Sequence, residues 1–264
     1  MNKILLIDAD PFMYIDGHKE TELEAKSSVV DRIKTLCEVH DTDLFCICLS
    51  NVVNFRKEVD DEYKANRSKL DKPPHYEALR KMLLKIGGFS VHSLEADDLV
   101  SLGHLNAEEE TLICSIDKDV LHQVPGTHWN FRYTYDKDTE ELDIGDIVTT
   151  SEEDADSFLY TQIAMGDSTD NIKGLKGVGI KTAEKIVKKG CEEVLKEYIK
   201  RLGIEKGTKE FIKTYRLVYI LRRYEDVPED AKSEVKSFPV LKIYEDDNPY
   251  GYNFCREREL KLKL

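Results

Sequence analysis

Residues 89–119, FSVHSLEADDLVSLGHLNAEEETLICSIDKD, decide the fold of this chain because two apolar segments flank one helical segment within them. We predict strands at residues 89–92 and 111–116 and a helix at residues 95–105 between them. A strand, a helix and a second strand in this order indicate a crossover between parallel strands. The stretch therefore predicts an α/β fold with a central, mostly parallel sheet.

The same alternation extends toward the N-terminus. Residues 3–7 and 44–49 are short apolar runs that are typical of buried strands. Residues 21–40 have the apolar spacing of a helix, and residues 73–86 form a second predicted helix that two glycines end. We therefore predict an α/β domain over residues 1–150, with helices on the faces of the sheet.

The pattern becomes helical near residue 150. We predict four helices beyond that point, at residues 151–165, 180–189, 192–202 and 208–223. A glycine-rich turn at residues 174–179 separates the first two. We assign residues 151–230 to this helical region and expect residues 231–264 to form a C-terminal tail that packs on the core, with a strand at 239–244.

The composition excludes two classes of protein. Of the 264 residues, 41% are hydrophobic, which is too many for a disordered chain. No apolar run reaches the roughly 20 residues that cross a bilayer, so we expect no membrane association. The apolar start is too short for a secretion signal, and the six cysteines lack zinc spacing. We therefore expect a cytoplasmic protein with reduced thiols.

Eight acidic residues occupy positions where a site could form. They are Asp8, Glu95, Asp97, Asp98, Asp117, Asp119, Asp167 and Asp170. Asp8 and Asp117 follow predicted strands, and the carboxyl ends of parallel strands share one edge of a sheet. Grouped carboxylates repel one another unless hard cations such as Mg²⁺ or Mn²⁺ neutralise them, and two such ions can promote phosphodiester hydrolysis. Each acid alone could equally be a solvated charge at a helix start.

The net charge of −13 argues against nucleic-acid binding, but the basic residues are unevenly distributed. Residues 55–85 contain nine lysines and arginines with two tyrosines among them. Residues 172–189 contain six lysines and one acid, a local net charge of +5. Such segments suit phosphate backbones, and the tyrosines could stack on bases, although a solvated helix face is the alternative.

Five motifs follow one another between residues 3 and 225. They are LID at 6–8, FR at 55–56 with YKANR at 63–67, EADD at 95–98, SIDKD at 115–119 with Gln123 after it, and GDSTDNI at 166–172 followed by GLKGVGIKTA. In this order they resemble the flap endonuclease / 5′→3′ exonuclease family. That family includes bacteriophage exonucleases and the N-terminal nuclease domain of bacterial DNA polymerase I.

The resemblance implies a PIN-like 5′ nuclease core, a helix–three-turn–helix element on duplex backbone, and hydrolysis to 5′-phosphate and 3′-hydroxyl products. It implies two Mg²⁺ ions, for which Mn²⁺ can substitute. The first ion would be held by Asp8, Glu95, Asp97, Asp98 and Asp117. The second would be held by Asp119, Asp167 and Asp170, with Asp97 shared. Lys64 and Arg67 would contact the scissile phosphate as catalytic residues.

The resemblance also implies the partners of the chain. DNA contacts would come from Arg56, Tyr63, Lys173, Lys176, Gly177, Val178, Gly179, Lys181 and Thr182. Backbone carbonyls near Val178 can bind K⁺ in the family. The substrate would be DNA with a 5′ end, flap or nick, with RNA–DNA hybrids as a further class. We expect a monomer that acts in DNA replication or in phage DNA metabolism, since its size and its lack of a polymerase region resemble the phage members most.

The chain departs from the family at three places. Ser50 stands where the family usually has an aspartate, at the end of the strand before FR, so a ligand of the first metal is absent there. The arginine and alanine that often follow the family's first aspartate are not evident after Asp8; Asp10 stands there instead, and a turn residue is one interpretation of it. The stretch from residue 68 to residue 88 is short for the family's arch. Two rival hypotheses are an RNase H-type nuclease that removes primers and a non-catalytic DNA-binding protein of the same fold.

Overall fold

A seven-stranded sheet forms the centre of the computed structural model, which describes residues 3–69, 71–132, 134–135, 142–143, 145–246 and 248–263. The strands are β1 (Ile4–Asp8), β2 (Leu44–Cys48), β3 (Thr111–Ser115), β4 (Gly126–Asn130), β5 (Thr134–Tyr135), β6 (Leu142–Asp143), β7 (Asp146–Thr150), β8 (Gly166–Asp167), β9 (Ile172–Lys173), β10 (Ser237–Glu245) and β11 (Tyr252–Lys261). The order across the large sheet is β11-β10-β2-β1-β3-β4-β7. The other strands form two short ladders, β5 with β6 and β8 with β9.

The four central strands of the sheet are parallel. Strand β1 pairs with β2 and β3, and β3 pairs with β4. The strands β1, β2 and β3 are buried along their whole length, which is why their sequences are continuous apolar runs. The outer pairs, β4 with β7, β2 with β10 and β10 with β11, are antiparallel. The predicted α/β fold is confirmed; its sheet is parallel at the centre and mixed overall.

Helices cover both faces of the sheet. They are α1 (Asp10–Ile15), α2 (Glu22–Val39), α3 (Arg56–Val59), α4 (Tyr76–Lys85), α5 (Ala96–Asn106), α6 (Lys118–Gln123), α7 (Glu152–Met165), α8 (Ile180–Val187), α9 (Glu192–Leu202) and α10 (Ile204–Val218). Leu5 of β1 belongs to one core with Phe12 and Ile33, whereas the next residue, Leu6, belongs to a second core with Leu99. Alternate residues of a strand point to opposite faces, so the sheet separates two cores.

Two predicted elements differ from the structure. The segment 89–92 is not a strand, because only Phe89 makes a bridge, to Cys48 of β2. The chain then turns at Ser93, which has a φ of +66°. The helix predicted at 208–223 corresponds to α10, which begins at Ile204 and ends at Val218.

The C-terminal residues extend the sheet beyond β2. Leu241 of β10 lies in register with Phe45 of β2, and β10 continues into a long antiparallel hairpin with β11. The strand predicted at 239–244 falls within β10. Within the residues that the structure describes, no helix combines the length and the apolar character needed to cross a bilayer.

Candidate active site

Parallel pairing brings the carboxyl ends of β1, β2 and β3 to one edge of the sheet, where acidic side chains collect. Asp8 ends β1, Asp117 follows β3, and Glu95 and Asp97 lie at the start of α5. These four carboxylates, which we call the acidic edge, line one cavity of about 470 Å³ together with Lys64. The structure thus brings together four of the eight acids predicted from the sequence.

Ser115 holds two members of the acidic edge. Its hydroxyl donates a hydrogen bond of 2.8 Å to Oδ2 of Asp8 and accepts one of 3.0 Å from the backbone N–H of Asp117. Burial, followed by repulsion from Asp10, raises the pKa of Asp8 to about 8. Burial and repulsion from Asp117 and Asp8 raise the pKa of Asp97 well above its usual range. Bound positive charge would therefore favour the ionised forms of Asp8 and Asp97.

Asp119, Asp167 and Asp170, here called the second acidic group, lie next to the acidic edge. All three line a smaller cavity, and Glu95 and Asp97 line both that cavity and the larger one. Burial and the nearby Asp117 raise the pKa of Asp119 to about 7. Asp97 is therefore placed where both groups could share it.

Lys64 and Arg67 supply the positive charge at this site. The Lys64 ammonium donates to Oε1 of Glu95 and lies 3.7 Å from Oδ2 of Asp170. Arg67 pairs with the same Asp170 carboxylate. Burial is the largest single influence and acts to lower the pKa of Lys64, but the charges of Glu95 and its neighbours, including Asp170 and Asp97, together outweigh burial and raise that pKa well above its usual range. Lys64 is therefore a permanent cation, and its φ of +55° shows that the backbone is held in an unusual conformation to place it.

Glu95 stays ionised although it is buried. Burial acts to raise its pKa, but the charges of Lys64 and Arg56 outweigh burial and lower the pKa to about 2. The Tyr63 hydroxyl donates a further hydrogen bond of 2.8 Å to Oε2 of Glu95. Glu95 thus links the acidic edge to the cations.

Three predicted site residues are buried and make their contacts inside the protein. Asp98 is fully buried and its carboxylate accepts two hydrogen bonds of 2.8 Å from Arg56, so it points away from the acidic edge and is not placed to bind a metal. Arg56 is 3% exposed and cannot reach DNA. Tyr63 is 4% exposed with its hydroxyl on Glu95, so it cannot stack on a base. EADD thus places its first two acids at the cavity and its last acid in the core.

The glycine-rich turn after β9 is largely exposed. Lys173, Lys176, Gly177, Gly179, Lys181 and Thr182 are exposed, whereas the side chain of Val178 is buried and only its backbone could serve a ligand. Gly177 has a φ of +74°, which a side chain would strain. Gly179 begins α8 without a side-chain cap, so the first N–H groups of this helix are open to an anion.

The segment 68–88 packs on the core along part of its length. It contains α4, whose Leu79 and Leu83 are fully buried in the core that α1 and α2 also form. The His75 N–H donates to the carbonyl oxygen of Gly17. This part of the segment therefore belongs to the body of the protein.

Sequence reasoning missed Gln162, which lies on α7 and is 2% exposed. Its Nε2 donates a hydrogen bond of 2.9 Å to Oδ1 of Asp119, and its Oε1 accepts one of 3.0 Å from Gln123. Gln162 thereby orients one member of the second acidic group. The available signal was a glutamine on the apolar face of a predicted helix.

The carboxylates do not enclose an ion by themselves. In the described part of the chain, no three His, Cys, Asp or Glu side chains are grouped tightly enough to form a ready-made metal cage. Mg²⁺ typically keeps several waters and binds through one or two carboxylates and substrate phosphates, so it does not require such a cage. The all-oxygen donor set and its unneutralised charge fit a hard divalent cation.

Known proteins resemble this chain in sequence and in fold. Residues 3–152 match the family described as 5′-3′ exonuclease, N-terminal resolvase-like domain. A 5′-3′ exonuclease of Buchnera aphidicola subsp. Schizaphis graminum is 28% identical over 209 residues, covering 70% of this chain and 70% of that protein. The flap endonuclease Xni of Shewanella sp. (strain W3-18-1) is 28% identical over 202 residues, covering 71% of this chain and 75% of that protein.

A solved structure shares the fold. It is a bacteriophage T5 flap endonuclease in a pseudo-enzyme–product complex with DNA and metal ions, with a TM-score of 0.61 and 19% identity, covering 88% of this chain and 96% of that one. The two sequence relatives are bacterial, whereas this neighbour comes from a phage. Because the matched segment spans more than half of the 264 residues, the chain belongs to the 5′-3′ exonuclease family and is a nuclease.

Proposed function

We propose that this nuclease uses divalent metal ions to hydrolyse DNA phosphodiesters near a 5′ end, at a flap or a nick, leaving 5′-phosphate and 3′-hydroxyl ends. One observation carries the proposal: Asp8, Glu95, Asp97 and Asp117 line one cavity with the cation Lys64, and Asp119, Asp167 and Asp170 line the adjoining one. Such a cluster has unneutralised negative charge in a cavity that is open to substrate.

Two groups of carboxylates would hold two Mg²⁺ or Mn²⁺ ions. The first ion would use Asp8, Glu95, Asp97 and Asp117, and the second would use Asp119, Asp167 and Asp170, with Asp97 between them. Asp98 is left out of this set because Arg56 occupies its carboxylate. When bound, two such ions activate a water molecule and stabilise the leaving oxygen.

Lys64 and Arg67 would bind the scissile phosphate. Both cations border the cavity that the acidic edge lines. Their charge would stabilise the negative charge that develops on the phosphate oxygens during hydrolysis. Lys64 is suited to this role because its ion pair with Glu95 and its backbone hydrogen bond of 2.9 Å to the Asp170 carbonyl fix its position.

The exposed turn before α8 would bind the duplex backbone. Lys173 and Lys176 are exposed in the chain that leads to α8, and Lys181 and Thr182 are exposed in its first turn. These groups recognise phosphates without reading sequence. Backbone carbonyls near Val178 would provide the K⁺ site of this element.

The setting of the reaction is also part of the proposal. All six cysteines are described and free, which fits a reducing cytoplasm. We expect a monomer acting during DNA replication or phage DNA metabolism. The exposed cavity would admit RNA–DNA hybrids as well as DNA.

Cleavage of a 5′-labelled flap duplex, with Mg²⁺ and with EDTA, tests this function. A blunt duplex and an RNA–DNA hybrid of the same sequence run in parallel. We expect metal-dependent cutting, with product sizes that separate junction incision from stepwise 5′ removal. DNA binding without cleavage in either Mg²⁺ or Mn²⁺ would contradict the proposal and favour a non-catalytic binding protein.

A further inference from the structure

Asp10 lies beside Ser50, the residue that stands where the family usually has an aspartate. We propose that Asp10 supplies the carboxylate that Ser50 does not, and so completes the ligand set of the first metal ion. This inference rests on the proposed function. It assigns a metal-binding role to Asp10, which precedes Pro11 in the short helix α1. From the sequence, one interpretation of Asp10 is a turn residue.

The contacts of Ser50 show how it holds Asp10. Its Oγ accepts a hydrogen bond of 2.9 Å from the N–H of Ala96, the residue between Glu95 and Asp97. Its N–H donates one of 3.2 Å to Oδ1 of Asp10. Ser50 therefore connects the start of α5 to the Asp10 carboxylate.

The Asp10 carboxylate faces the same cavity as the acidic edge. Asp10, Asp8 and Asp117 all line it, and the Asp10 N–H donates a long hydrogen bond of 3.4 Å to Oδ1 of Asp8. The first turn of α1 thus presents one carboxylate and orients the other. Because carboxylate oxygens are the ligands that Mg²⁺ prefers, Asp10 offers the chemistry that a serine hydroxyl lacks.

The Asp10 side chain is not used to cap its own helix. Ala9 is the N-cap of α1 and makes no side-chain cap hydrogen bond. The Asp10 carboxylate instead bonds to a residue 40 positions away in sequence, at the end of the neighbouring strand. Arg80 donates a hydrogen bond of 2.7 Å to the Ser50 carbonyl, which fixes this junction from the other side.

The test is Mn²⁺ binding to the full chain without DNA, measured by calorimetry, for wild type and Asp10→Asn. Asparagine keeps the size of the side chain and an oxygen that accepts the Ser50 N–H, so only the charge is removed. We expect the affinity of the tighter Mn²⁺ site to fall by about tenfold to 100-fold. The metal-free Tm should stay equal or rise, because the change relieves repulsion with Asp8. Asp31→Asn, at an exposed acid on α2, is the matched control and should leave both values unchanged.

The double variant Asp10→Asn with Ser50→Asp moves the carboxylate to the position that the family uses. We expect it to recover most of the lost Mn²⁺ affinity, and this readout holds even if the single variant folds poorly. Unchanged Mn²⁺ affinity in Asp10→Asn, or a lower metal-free Tm as its only effect, would overturn the inference and leave Asp10 a structural acceptor. That result is distinct from failure of the proposed function, in which the wild type itself would neither bind Mn²⁺ nor cleave DNA.

Discussion

The guanidinium of Arg56 holds the carboxylate of Asp98 through two hydrogen bonds of 2.8 Å, and both side chains are buried. The same carboxylate accepts a hydrogen bond of 3.1 Å from the N–H of Leu221, and Arg56 donates to the carbonyl of Tyr219. This pair joins the start of α5 to α3 and to the chain that follows α10. Neither Arg56 nor Asp98 lines the larger cavity, so the pair supports the acidic edge from inside the protein.

We predict that Asp98→Ala lowers the free energy of unfolding by about 3–5 kcal/mol, because it removes the two 2.8 Å hydrogen bonds of the buried Arg56 and leaves it the more distant Glu95 carboxylate, at 3.2 Å. Denaturant unfolding of the metal-free protein measures this loss. Arg67→Ala, which removes a half-exposed ion pair with Asp170, is the comparison and should cost about 1 kcal/mol or less. Equal costs for the two variants would show that the Arg56–Asp98 pair is not structural.

The motif EADD shows what the sequence could and could not predict at the site. Its spacing places four residues at the start of a helix, and the bridge between Phe89 and Cys48 brings the chain before them to the carboxyl end of β2. The direction of each carboxylate depends on residues far away in sequence: Lys64 attracts Glu95, whereas Arg56 attracts Asp98. Spacing alone therefore located these acids but did not reveal that the carboxylate of Asp98 pairs with Arg56 inside the protein.

The same limit applies to the fold. The strands β1, β2 and β3 are predictable because they are buried on both faces and apolar throughout. Strand β4 escaped prediction because only His128 of its five residues is buried, so no apolar run marks it. Helix α1 escaped because Pro11 suggests a break, although a proline in the first turn suits a helix start.

The stability of the metal-free protein should fall as pH rises from about 4 to 8. The pKa values of Asp8 and Asp119 are raised from 3.8 to about 8 and about 7, so the folded state keeps protons that the unfolded chain has released. The stabilisation that Asp8 and Asp119 contribute is fully present below 3.8, the pKa of both groups in the unfolded chain, and it is lost as pH rises through 7 to 8. We expect Asp8→Asn to make Tm in EDTA fall less over this range. Parallel Tm profiles for wild type and variant would contradict the assignment.

Lys64→Ala should reduce the single-turnover cleavage rate by about 100-fold to 1,000-fold, since it removes a fixed charge at the phosphate. DNA affinity should change little, because the exposed turn before α8 would provide most backbone contacts. Lys26→Ala, which alters a lysine paired with Glu22 on α2, is the control and should cleave like the wild type. A cleavage rate for Lys64→Ala within a few-fold of that control would exclude Lys64 from catalysis.

Lys181→Ala should weaken duplex binding and reduce the slope of log affinity against log salt by about 1, as expected for one lost phosphate contact. Lys242→Ala is the matched control, because Lys242 lies on β10 and pairs with Asp43. Fluorescence anisotropy with Ca²⁺ in place of Mg²⁺ measures the duplex affinity and its salt dependence for both variants. If the two variants give the same slope as the wild type, the turn before α8 does not bind the backbone.

Cleavage of a 5′-labelled flap duplex by Asp117→Asn in Mg²⁺ tests the central claim most directly. Asp117 caps α6 by accepting a hydrogen bond of 2.7 Å from the Asp119 N–H, and asparagine caps helices equally well, so the fold should be kept. We predict that Asp117→Asn still binds the duplex but no longer cleaves it, while Asp31→Asn cleaves like the wild type. Cleavage by Asp117→Asn at the wild-type rate would contradict the claim that the acidic edge is the metal-dependent catalytic centre.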